Sequence, residues 1–175
     1  MSNIKILQEN INEENAILRE VCVPVKQSEF KTQKLLSIID NMKKAAVQDP
    51  DGVALAAPQI GINKRIFVVA GRSYDKDAKW KPEVFINPEI IKASNKQELK
   101  HEGCLSVRGI YGDTWRATNV TVAAFDEYGN KFNFGAGGLI AHIFQHEMNH
   151  LDGILFIDHG VNLEEDPNWY ENLTK

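Results

Sequence analysis

The sequence predicts an α+β fold in which antiparallel strands pack around a central helix. A helix-patterned run stands in the first third of the chain, a second stands near its end, and the β-branched segments between them follow one another without intervening helices. Regular alternation of strands and helices would instead have indicated a doubly wound sheet. One domain over residues 1–175 is expected, because a chain of 175 residues, 43% hydrophobic and 25% charged, suffices for a single sizeable core.

From Ser28 to Val47 the residues Leu35, Ile39, Met42 and Ala46 recur at three-to-four spacing, and Asp49-Pro50-Asp51-Gly52 closes the run. This reads as an amphipathic helix with one face for a sheet. The segments Arg65 to Ala70, Val84 to Ile86, Glu89 to Lys92 and Asn119 to Phe125 are short and rich in β-branched residues, hence strands. A turn over Asp126 to Asn130 leads into a further strand from Lys131 to Phe134. After the glycine-rich stretch 135–138, Leu139, Ile140, Ile143, Phe144 and Leu151 mark a second helix, which Gly153 is suited to cap. The polar run Arg72 to Trp80 reads as an exposed loop, and no repeat or low-complexity tract appears.

Composition removes several function classes. Net charge is -4 and the sequence pI about 5.7, with no basic cluster, so neither a nucleic-acid groove nor an anionic membrane is an expected direct partner. The first residues lack a signal-like apolar core, and no apolar run approaches the roughly 18 residues of a membrane span, so a cytoplasmic location is expected. Cys22 and Cys104 lie far apart, which argues against a disulfide framework. Cys22 sits among valines before Pro24 and reads as core filler at a strand edge.

The second helix carries His146-Glu147-Met148-Asn149-His150, an H-E-x-x-H segment. Histidines one turn apart share a face, so two neutral imidazoles can bind one divalent metal while the adjacent carboxylate reaches water activated by it. A catalytic site of this kind needs a third protein ligand. The astacin-like position for a further histidine is occupied by Phe156, and a thermolysin-like glutamate would have to come from Glu164, Glu165 or Glu171 in a short acidic tail. Upstream, Cys104 lies in a tight segment between strands, where it is either a thiolate ligand or a buried small hydrophobe.

Three segments, GVALAAPQIG at 52–61, EGCLS at 102–106 and QHEMNHLDG at 145–153, together resemble the three signature motifs of peptide deformylases, in the same order. The likeness runs from about Ile17 to Asp158. It implies hydrolysis of the N-formyl group of N-formylmethionyl nascent chains, with release of formate. It implies Cys104, His146 and His150 as ligands of one divalent metal, ferrous iron in the cell, with zinc, nickel or cobalt also suited to such a site. Glu147 would be the acid/base, and Gln59 and the Leu105 N–H the donors to the formyl oxygen. Both donors are of a type that steadies an oxyanion without ionising. Substrate would lie extended beside Gly52, Val53, Ala54 and Leu55, with its methionine in an apolar pocket that includes Val53 and Leu139.

Departures from the family pattern are Ala54 where a glycine is usual, Arg108 where a proline is common, and Asn149 where an aspartate is usual. The Ala54 methyl is expected to crowd the substrate and raise KM, and a Cβ would be disfavoured if the site required positive φ. Asn149 removes no ligand. His142, one turn before His146, reads as a rim or surface residue, and His101 and His159 as solvated. The acidic tail 162–166 differs from the basic helix with which some relatives dock on ribosomes, so any ribosome contact is expected to be transient. Two other readings stand beside this one: an H-E-x-x-H zinc endopeptidase that does not need Cys104, and a weakly active formyl-peptide-binding relative.

Overall fold

The computed structural model describes residues 3–50, 52–74 and 83–169. Helices α1 (Asn12–Leu18), α2 (Gln33–Gln48) and α3 (Gly138–Leu151) stand with two antiparallel sheets. The larger sheet has the order β1 (Ala54–Ala56), β2 (Ile66–Val69), β3 (Val84–Ala93), β6 (Asn119–Phe125), β7 (Lys131–Gly137). The smaller has the order β4 (Gln97–Cys104), β5 (Val107–Ala117), β8 (Val161–Glu165).

Helix α2 starts at Gln33, later than its apolar spacing alone predicts, because the Thr32 hydroxyl accepts the Leu35 N–H and residues 27–29 form a separate 3-10 turn. Its apolar stripe of Leu35, Ile39, Met42, Ala45 and Ala46 packs on one face of the larger sheet, against Leu55, Ile66, Val68, Val84 and Ile86. The opposite face of the same strands presents Ala54, Ala56, Phe67, Val69 and Phe85 to α3. There Phe67 and Phe85 stack at 4.6 Å between centroids, and Phe144 of α3 lies 4.8 Å from Phe85. Helices on both faces explain why β2 is buried at every position.

The structure merges Val84 to Ile86 and Glu89 to Lys92 into one strand, β3, whose pairing with β6 is interrupted by bulges near Asn87 and Ile91. The glycine-rich stretch is not wholly a connection, since β7 runs to Gly137 before α3 begins. Gly153, at φ 72°, follows the end of α3 as expected. Cys22 lies in an extended segment outside the sheets, its N–H bonded to the Leu151 carbonyl, and is buried as the sequence suggests. Of the polar run from Arg72, only residues 72–74 fall within the described residues, and a 3-10 turn covers Gly71–Ser73. Among the described residues no helix is long and apolar enough to cross a membrane.

Candidate metal centre

Helix α3 passes between the two sheets, and its inner face meets the turn that joins β4 to β5. Cys104 is the last residue of β4 and pairs with Val107 across Leu105 and Ser106. Gly103 pairs with Tyr111, so Arg108, Gly109 and Ile110 bulge out of the ladder. This geometry brings the thiol onto the histidine face of α3. Candidate ligand atoms of Cys104, His146 and His150 lie within 4.8 Å of one another, with Cys104 Sγ 3.2 Å from His150 Nε2.

Glu102, two residues before the cysteine, is buried beneath them and orients the site. Its carboxylate accepts from His146 Nδ1 at 2.6 Å, His142 Nε2 at 3.2 Å, Arg116 at 2.9 Å and the Thr114 hydroxyl. Burial opposes its ionisation, yet the hydrogen bonds of His142 and His146 and the charge of Arg116 hold the carboxyl well below the usual range. Bonding through Nδ1 leaves Nε2 of His146 as the ring nitrogen available to an ion. Arg116 also donates to Asn149 Oδ1 at 2.6 Å, so the amide here retains an acceptor toward that guanidinium. His142 lines the cavity and serves the Glu102 network rather than lying free on the surface.

The donor chemistry fits a divalent cation. The cysteine thiol is pushed up to about 12 by burial, and His150 is held well below its ordinary value by burial and by His146. Burial that keeps the imidazoles neutral suits them as ligands, and the thiol would ionise once a cation offset the thiolate charge. Glu147 is buried, and its Oε2 has no hydrogen-bond partner among the described residues. Burial first, and the charge of Glu102 second, raise its carboxyl to about 8, and a nearby dication would lower it.

Cys104, His146 and Glu147 open on a cavity of about 330 Å³. Its walls include Gln59, Leu105, Val53, Ala54, Leu139 and His142. Gln59 is 2% exposed; its Oε1 accepts the Ala56 N–H at 2.8 Å, and its Nε2 lies 3.1 Å from Ser106 Oγ and 3.6 Å from Cys104 Sγ. Gly52 and Leu55 do not line the cavity. Leu55 is fully buried against α2, and a Cβ on Gly52 would lie 2.2 Å from the Ala46 carbonyl oxygen. Glycine at 52 is thus required by the close approach of the chain to the end of α2. Ala54 has no positive φ, and the residue is 5% exposed in the core around α3, so the expected backbone conflict does not arise.

Glu102, Thr114 and Arg116 had no role assigned from sequence, since partners brought together by strand pairing leave no local spacing signal. Arg108 and Trp169 also line the cavity, with the Arg108 guanidinium 5.7 Å above the indole and 2.7 Å from buried Asp49. Gly109, at φ 74°, passes so close to Trp169 that a Cβ would lie 2.5 Å from the ring. His101 stacks on Tyr111 and bonds Asp113 while remaining largely exposed.

Fold and site together define a metal-dependent hydrolase. The family model described as polypeptide deformylase matches residues 7–166. The chain is 43% identical over 154 residues to the peptide deformylase of Halothermothrix orenii, covering 85% of this chain and 96% of that protein, and 45% identical over 147 residues to that of Syntrophomonas wolfei, covering 84% and 89%. The chain belongs to the peptide deformylase family, enzymes that remove the N-formyl group from nascent polypeptides. Its fold is similar to the Met-Ala-Ser-bound class I type b peptide deformylase of Acinetobacter baumannii, with TM-score 0.78 and 34% identity over 91% of this chain and 100% of that one.

Proposed function

We propose that residues 1–175 form one catalytic domain in which Cys104, His146 and His150 hold a single divalent ion, Glu147 moves the proton, and Gln59 with the Leu105 N–H receives the developing oxyanion. The observation that carries this reading is the convergence of three ligand atoms within 4.8 Å at a cavity that Glu147, Gln59 and Leu105 also line. When bound, the ion supplies Lewis acidity toward water and toward the formyl carbonyl. Glu147 takes a proton from the attacking water at Oε2, which has no hydrogen-bond partner among the described residues, and returns it to the departing amine nitrogen. Gln59 Nε2 and the Leu105 N–H donate to the formyl oxygen as it gains charge, and burial of the glutamine makes that donation strong. Cleavage of the C–N bond gives formate and a free N-terminal methionine.

The substrate backbone lies along β1, an edge strand of the larger sheet. Val53 directs its carbonyl to Ala70 of the neighbouring segment, while Ala56 directs its N–H to Gln59. Alternation along the strand therefore turns the polar groups of Ala54 toward the open side, where a peptide can pair. Val53 and Leu139, 39% and 57% exposed, offer apolar surface to the methionine side chain. Ferrous iron is the proposed metal in the cell, with zinc, nickel or cobalt serving in isolated protein. The enzyme acts in the cytoplasm on N-formylmethionyl chains. Its exposed β8, carrying Glu164 and Glu165, suits a passing encounter with the ribosome better than a basic dock. Protein purified without oxygen should release formate from formyl-Met-Ala-Ser in proportion to bound metal; metal-loaded protein without formate release would contradict the reading.

A further inference from the structure

The N-terminal segment runs beside the β4–β5 turn and touches both proposed oxyanion donors from behind. The Leu7 N–H donates to the Gln59 carbonyl at 2.8 Å, and the Glu9 N–H to the Ser106 carbonyl at 2.8 Å. Between them, Gln8 Nε2 donates to the Leu105 carbonyl at 3.1 Å and to the Ile6 carbonyl at 3.0 Å. The Gln8 backbone is itself anchored, its N–H donating at 2.7 Å to the Glu14 carboxylate, which Lys5 also binds. Gln8 does not line the cavity, so its side chain reaches the reaction through the turn alone.

We propose that Gln8 is a positioning residue, and that residues 7–9 form a strap fixing the Leu105 N–H and the Gln59 amide relative to each other. The proposal rests on the reading of those two groups as oxyanion donors. Without the strap, the turn would be tied to Gln59 by the Ser106 hydroxyl and to Cys104 by local contacts. Those contacts lie within the site. The strap instead pins consecutive carbonyls, those of Leu105 and Ser106, to a segment outside the cavity. The Leu105 N–H shares its peptide plane with the Cys104 carbonyl, and fixing the two planes that follow restricts the rotation about the Leu105 Cα by which that N–H could turn away. Donors fixed in place pay no reorganisation when the oxyanion forms, so loosening them lowers turnover more than ground-state binding.

The test compares Gln8→Ala, the near-isosteric Gln8→Met and Gln59→Ala with the unaltered enzyme, all loaded with nickel, using formyl-Met-Ala-Ser. Both Gln8 variants should lose on the order of tenfold in kcat, less than the roughly hundredfold expected for complete loss of a donor, with KM within about twofold. Metal content and melting temperature should stay close to those of the unaltered enzyme. Unchanged kcat in Gln8→Met, or a fall that merely follows metal loss and unfolding in both variants, would overturn the positioning role. Full activity in Gln59→Ala would instead remove the donor reading beneath it, whereas loss in Gln59→Ala with intact Gln8 variants would remove the strap alone.

Discussion

Helices α2 and α3 cover opposite faces of one sheet, yet they bury different chemistry. The buried face of α2 is Leu35, Ile39, Met42, Ala45 and Ala46, all apolar. That of α3 mixes Ala141, Ile143, Phe144 and Leu151 with Glu147 and His150. Burying a carboxyl and an imidazole without full hydrogen bonding costs stability that an apolar helix does not lose, and both Glu147 Oε2 and His150 Nδ1 lack partners among the described residues. The sheet and α2 provide the frame within which α3 can keep such groups. Mutations on the two helices are therefore expected to separate fold from function.

The largest effect is expected on the α3 side. Glu147→Ala should retain metal and lose about 10³-fold or more in kcat, because the carboxylate moves protons and does not ligate. Measured formate release near the unaltered rate in metal-loaded variant protein would show that another group does this work. On the α2 side, Met42 is fully buried, and Met42→Ala should cost about 2–5 kcal/mol of stability while leaving kcat per folded, metal-loaded molecule unchanged. Denaturant unfolding with parallel kinetics separates the two, and a large kcat loss would mean that the frame and the site are coupled.

A smaller effect belongs to the group that links α3 to the β4–β5 hairpin. Glu102→Gln keeps the shape but weakens acceptance from His146 Nδ1 and unbalances Arg116. Metal affinity should fall about 10- to 100-fold, which competition with a chelator reads directly. Unaltered affinity would deny the carboxylate its orienting role. Least of all, Ala54→Gly should cost about 0.5–1 kcal/mol and leave KM within about twofold, since the methyl is core filler on an ordinary extended backbone. A marked drop in KM would restore the idea that the methyl crowds the peptide.

The same contrast explains what was legible in the sequence. Both helices announced themselves through apolar spacing, and His146 and His150 through their separation of one turn on a patterned helix. Cys104 needed the motif around it, because only strand pairing brings it to α3. Strands β4 and β5 were harder to read: one face of β4 is open, and Gln97, Glu98, Lys100 and His101 give it the composition of a loop. Glu102, Thr114 and Arg116 converge through the β4–β5 register, and Leu7 to Glu9 reach the site from the far end of the chain. Contacts of this kind have no periodicity to betray them. Leu55 shows the converse, a motif residue whose side chain belongs to the α2 core.

A thiolate from the hairpin and two imidazoles from α3 are proposed to hold one divalent ion together. The decisive measurement is the metal content of the unaltered protein and of Cys104→Ala, both purified without oxygen and assayed for formate release. About one ion per chain in the unaltered protein, with severe loss of both metal and activity in the variant at preserved fold, is the expected result. Full metal occupancy with unchanged activity in Cys104→Ala would contradict this ligand set.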